Sequence, residues 1–385
     1  MIRLILVGLL ALSLYAQEYV KSSVCKGCHP TIYAEYYDSA HRKASIYEDE
    51  LHKAVWDKHP DKEKKQYTCA KCHTPTDTKL MEALENNEEA MPQKSEVQTQ
   101  EAVSCAYCHK IQDIEEHTNS NKNIMSLKEK LFFSADEKNR DIKKKEYKDK
   151  ESYMGMVKEK TGSPFHTINY SNKNFYTGKM CMGCHSHLKN DNDVDVCRID
   201  KDAAKDEETS CISCHMPKVK GTATSIKLTK KHTYHGFAST SKNNSMLAKY
   251  VKVKSKKTKE GFRVSIKNEA SHNLFLHPMR LAKLEVKVLR ENGAVFTKTE
   301  HFARVLGKDN KPTLPWLADS VIHNSMIKAN ERRVLNYDFT VKDDDVIEVI
   351  FGYYRVNPKM VDVFKVNPKK YGQFHIMKKE RFIIE

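Results

Sequence analysis

Cys25-Lys26-Gly27-Cys28-His29 opens a pattern that recurs four times in the chain. The repeats are Cys69-Ala70-Lys71-Cys72-His73, Cys105-Ala106-Tyr107-Cys108-His109, Cys181-Met182-Gly183-Cys184-His185 and Cys211-Ile212-Ser213-Cys214-His215. They take all but one of the 11 Cys in 385 residues. At this composition chance would place about 0.015 such motifs in the chain. Zinc ribbons and redox pairs also use Cys-x-x-Cys, but neither needs a His after the second Cys every time. Two thiols on one helical turn can each form a thioether to one vinyl group of the same porphyrin, and the next residue's imidazole then lies beneath the iron. The pattern therefore predicts five covalently bound haem c groups. Attachment falls to Cys25 and Cys28, Cys69 and Cys72, Cys105 and Cys108, Cys181 and Cys184, Cys211 and Cys214. The proximal ligands are His29, His73, His109, His185 and His215.

The rest of the composition agrees. Only 39% of residues are hydrophobic and 30% are charged, so the chain is short of aliphatic core for its size. Cofactors fastened by thioethers can fill an interior without a large apolar pocket. The formal charge is +15. Haem propionates would take up roughly five to ten units of that excess, and what remains can steer an acidic partner. The N-terminus carries Arg3, an apolar run from Leu4 to Leu14, and Tyr15-Ala16-Gln17. This reads as a signal peptide over 1–16, being shorter than the roughly 20 apolar residues of a spanning helix. Export to the periplasm argues against nucleic acid as a partner, while peripheral contact with a membrane is compatible with the charge.

A haem closed by a second His mainly passes electrons, whereas an open sixth position can take a small molecule. The distal candidates are His41 in Asp38-Ser39-Ala40-His41, then His166 in Ser163-Pro164-Phe165-His166. His232 and His235 follow the last motif, and at least one of them is expected to ligate. His187, His52 and His117 complete the set. Cys197 is left over and reads best as an inert thiol, with an intermolecular bridge or a ligand role as alternatives.

All motifs lie between Gln17 and about Thr240, about 45 residues per motif, so the haems must pack against one another. The expectation for 17–245 is an α-helical and irregular pentahaem domain. The charged run from Lys128 to Lys160 reads as exposed helix or helical hairpin. Beyond Ser245 the period changes. Phe262, Val264 and Ile266 alternate with polar residues, as do Leu284, Val286 and Val288, then Tyr337, Phe339 and Val341, then Ile347 to Tyr353. Glu291-Asn292-Gly293 supplies a turn, and Phe374 to Ile384 is a further strand. Residues 246–385 are therefore predicted to form an all-β antiparallel sandwich of about seven strands. His272 and His277, in the Ser271–Met279 loop, could reach across to a haem, although a structural or surface role is the favoured reading.

The chain resembles bacterial multihaem cytochromes c of the cytochrome c-552/4 type. The resemblance rests on Cys25 to Pro30 with Tyr33, Tyr36, Ser39 and His41, and on Cys211 to Pro217 with His235-Gly236-Phe237. It extends to Asn268, His272, Pro278 and Arg280, where the usual Pro-Thr-Gly is replaced by Pro278-Met279. By resemblance, His41 and His235 gain weight as distal ligands. Pentahaem nitrite reductases of this kind use Cys-x-x-Cys-Lys at the active haem, and that motif is absent here. The expected function is electron transfer between a quinol-oxidising membrane cytochrome and a terminal reductase. The alternatives are a reductase of a small nitrogen or sulfur oxyanion at one five-coordinate haem, and a β-domain scaffold with the haems as relay.

Overall fold

The computed structural model describes residues 18–151, 158–239 and 245–385, so the segment read as a signal peptide lies outside them. Among the described residues no helix is long and apolar enough to cross a membrane.

The N-terminal region is built from helices of four to eight residues. Their starts are set by short polar side chains that satisfy otherwise orphaned N–H groups. Asp49 accepts from Leu51 and His52, Asp77 from Leu80, Ser104 from Tyr107 and Ser210 from Ser213. Its apolar clusters are small. One gathers Trp56, Tyr67, Leu80 and Leu84, and another gathers Val103, Tyr107, Ile111 and Ile114.

Between the helices, among the described residues, run ten strands in five two-stranded ladders, more sheet than the sequence leads one to expect. β1 (Ile111–Glu115) pairs with β2 (Lys122–Met125), and β3 (Leu131–Phe133) runs parallel to β6 (Thr167–Asn169). β4 (Lys148–Glu151) pairs with β5 (Lys158–Thr161), β7 (His187–Lys189) with β8 (Asp195–Arg198), and β9 (Lys218–Lys220) with β10 (Lys231–Thr233). Residues 152–157 lie outside the described residues; over the rest of Lys128–Lys160 the predicted helix is corrected to strands, loops and one short 3-10 turn, Glu137–Asn139. The cause is tertiary. Ile168 holds the β3 edge on one side and exchanges both backbone hydrogen bonds with Lys145 on the other, which draws the charged segment out straight. Helix propensity is a weak prior against such pairing.

The C-terminal region is β-rich. β11 (Val251–Thr258), β12 (Gly261–Asn268) and β18 (Arg332–Tyr337) form one antiparallel sheet in the order 11-12-18. β13 (Leu281–Arg290), β14 (Gly293–Phe302), β19 (Val346–Tyr354) and β20 (Phe374–Ile383) form a second in the order 14-13-19-20. A third, smaller sheet holds β15 (Arg304–Lys308), β16 (Lys311–Pro312) and β17 (Ser320–Asn324). That makes ten strands where about seven were expected. Phe339 and Val341 lie past the end of β18, although they share its alternation. Ala282, Leu284, Val286 and Val288 alternate inward along β13, and all are fully buried. They meet Val253, Phe262, Val264 and Ile266 in one core common to the two larger sheets. Each of these side chains larger than Ala282 contributes about 1.5–3 kcal/mol through the area it removes from water. The β11–β12 turn needs Gly261, which has φ +153° and a position where a Cβ would come within 2.1 Å of the Tyr337 carbonyl.

The two regions pack together at several places. Arg304 donates from Nη1 to the Val196 carbonyl at 3.0 Å, and Asn190 donates to Pro315 and Ala318. Met279, Val361, Phe364 and Tyr371 rest on Leu51, Ala54 and Val55.

Candidate functional site

Each Cys-x-x-Cys-His motif is a single helical turn. The histidine N–H bonds back to the carbonyl of the first cysteine, at 2.8 Å in the first motif and 2.9 Å in the second and fourth. That turn puts both thiols and the imidazole on adjacent positions of one local unit, the arrangement the thioether chemistry requires. Four of the five rings are then oriented by a carbonyl. Nδ1 of His29 lies 2.7 Å from the Ala223 oxygen, His73 3.3 Å from Ala44, His109 2.7 Å from Phe133 and His215 2.6 Å from Ala238. Donation from Nδ1–H fixes the tautomer whose free lone pair is on Nε2, the form that binds a metal.

The motifs form one contiguous group. The Cys25 and Cys105 side chains are neighbours, as are Cys72 with Cys184 and Cys181 with Cys211. Asn123 joins the first pair to the rest, donating to the Tyr107 hydroxyl at 2.8 Å and to Cys184 Sγ at 3.7 Å. Among the described residues no three His, Cys, Asp or Glu side chains converge as an ion cage, unlike a closed zinc–thiolate centre.

Across from the motif histidines stand other imidazoles. An iron holding two rings at about 2 Å each sets their centres about 6 Å apart. The centres of His109 and His235 are 6.2 Å apart at 21°, those of His41 and His185 5.9 Å apart at 88°, and those of His215 and His272 6.2 Å apart at 21°. Burial pushes His41 and His235 down to about 3, so both rings are neutral. Nδ1 of His41 is enclosed with no hydrogen-bond partner, a cost that ligation through that nitrogen would offset. These arrangements fit haem held between facing imidazoles.

The other candidates are placed differently. His166 packs on Phe132, has an enclosed Nδ1 without a partner, and is held down by burial and then by the nearby His29 and His109. His232 is buried, with Nε2 bonded to Glu35 at 2.8 Å. His187 Nε2 is taken by the carbonyls of His117 and Thr118, at 2.8 and 3.1 Å. His117 is half-exposed beside Glu115. His52 has its ring centre only 3.9 Å from that of His73, too close for an iron between them, and its Nδ1 shares the Ala44 carbonyl. Cys197 sits in β8 opposite Leu188, its thiol pushed up by burial. His272, for which the sequence favours a structural or surface role while leaving reach to a haem open, faces His215. It is partly buried, and the signal that points to it is a His in the loop four residues after the fully buried Asn268.

The fold is similar to that of a penta-heme cytochrome c552 from Thermochromatium tepidum. The two structures match with a TM-score of 0.72 at 20% sequence identity, over 95% of this chain and 99% of that one. No family model matches the chain, and no curated protein sequence matches it.

Proposed function

We propose that the chain is an exported, periplasmic multihaem c-type cytochrome carrying five haem c groups and passing electrons between redox partners in respiration. When bound, each haem supplies an iron that cycles by one electron. The observation that carries the reading is the contiguity of the five motifs, whose cysteines are neighbours across motifs and which Asn123 joins. Groups attached at such neighbours are within hopping range of one another. The structural neighbour is itself a penta-heme cytochrome, which supports the same number. His29, His73, His109, His185 and His215 serve as proximal ligands. His41 and His235 close the sites of His185 and His109, and His166 is the candidate for His29. The chain divides into a haem region over 17–245 and an antiparallel β-sandwich over 246–385, whose two larger sheets share a core. Partners are other redox proteins, a quinol-oxidising membrane cytochrome on one side and a terminal reductase on the other.

One observation favours a second reading, reduction of a small oxyanion at the second motif. His52 does not stand across an iron from His73. The enclosed groups near that ring include His277, whose electrostatic neighbours are Arg280, His73 and Arg304. Electron paramagnetic resonance of the ferric protein separates the two. A carrier shows low-spin signals that do not respond to cyanide or nitrite. A high-spin signal abolished by either ligand, and traced to the second motif by a His73 variant, would replace the carrier with the reductase.

A further inference from the structure

We propose that His272, supplied by the β-rich C-terminal region, is the sixth ligand of the fifth haem, so that the β region completes a redox centre rather than merely covering it. This rests on the haem reading above. The ring lies opposite His215 with centres 6.2 Å apart and planes at 21°. Both rings are tied at the far nitrogen. His215 Nδ1 is 2.6 Å from the Ala238 oxygen and His272 Nδ1 is 2.8 Å from the Asn273 oxygen. Each Nε2 is therefore left with its lone pair free for a metal.

The loop that presents His272 is built to hold it still. Asn268 is fully buried and donates from Nδ2 to the carbonyls of His272 and Lys328, both at 2.9 Å. Its Oδ1 accepts from the Ala270 N–H. The Asn273 side chain accepts from the Ala329 N–H at 3.0 Å, and Leu274 N–H bonds to the Ile327 carbonyl at 2.9 Å. On the other side Ser271 Oγ reaches the Ala203 carbonyl, at the helical turn that precedes the fifth motif. A ligand locked by such contacts gives up little freedom on binding. His277 in the same loop is set up the opposite way. Its Nδ1 accepts from the Met279 N–H at 3.2 Å, which puts the ring proton on Nε2 and removes the lone pair a metal needs. One loop thus holds one imidazole as a ligand and the other as a donor.

The test uses the full chain matured with its haems. His272→Ala is expected to convert about one fifth of the low-spin ferric signal to high spin, and added imidazole is expected to restore it. His277→Ala leaves that signal in place. Unchanged spin state in His272→Ala at full haem content would overturn the proposal. If the Ala variant does not fold, His272→Met decides. A thioether ligand raises the potential of one haem and leaves the other four, and five unmoved potentials would overturn the assignment. Haem content of the unsubstituted protein is measured in the same series. Its absence would defeat the haem reading itself, whereas full haem content with an indifferent His272 defeats this inference alone.

Discussion

Glu35 holds two residues of the segment that follows the fifth motif. Its Oε1 is 2.8 Å from Nε2 of the buried His232, and its Oε2 accepts the backbone N–H of His235 at 2.8 Å. One carboxylate from the helix Pro30–Tyr37, just after the first motif, thereby positions the imidazole that faces the third. The arrangement separates the two histidines, since His232 spends its Nε2 on Glu35 while His235 ties only its Nδ1, to the Thr233 carbonyl.

Removing that carboxylate therefore has two consequences. Glu35→Ala leaves the buried His232 without its partner and is expected to cost about 1–3 kcal/mol, read from denaturant unfolding of the holoprotein. Glu35→Gln keeps an oxygen acceptor and loses less. Equal stability of Glu35→Ala and the parent would refute the pairing.

His235→Ala is expected to open the sixth position opposite His109, turning about one fifth of the low-spin ferric intensity to high spin. His187→Ala, whose Nε2 is already occupied by backbone carbonyls, is expected to change nothing. Paramagnetic resonance of the two variants side by side checks both. A high-spin signal from His187→Ala alone would reverse the assignment.

The β core supplies a stability prediction free of any cofactor. Leu284 is completely buried between the two larger sheets, and Leu284→Ala should cost about 2–5 kcal/mol through lost burial and the cavity left behind. Thermal unfolding followed in the far ultraviolet measures it. A cost below about 1 kcal/mol would mean that the sheets do not share that core.

Acid should weaken the same region. Arg290 beside Asp345 holds its carboxyl below the usual range against opposing burial. Burial pushes Glu348 up, but Arg381 and Lys379 outweigh it and leave that carboxyl low as well. A carboxyl that is lower in the folded than the unfolded state contributes stability above its unfolded value, about pH 4, and that contribution is lost as pH falls through the folded value. Asp345→Asn is thus expected to be less stable than the parent at pH 7, with the gap closing as pH falls below about 4. A gap that widens in acid would contradict the sign.

The motifs are legible because thioether attachment needs five consecutive positions, and consecutive positions are what a sequence displays. The buried strands β12, β13 and β19 are legible for a similar reason, since a half-buried strand writes its burial as alternation. Which imidazole faces which motif is not, although His41 and His235 already stand out as candidates in the sequence. His41 reaches His185 from far away in the chain and His272 reaches His215 from another region, so only the folded backbone brings them together. His187 and His117 look eligible by proximity to a motif, yet backbone carbonyls and Glu115 engage them. The Lys128–Lys160 run misleads for the complementary reason. Its solvated charges suit helix or strand equally, and pairing with Thr167–Asn169 decides between them.

Intact-mass analysis of the mature protein, with alkylation of free thiols, tests the central claim most directly. The expected result is the polypeptide plus five porphyrin masses, and a single thiol, that of Cys197, open to alkylation. A bare polypeptide with all 11 Cys alkylated would contradict it.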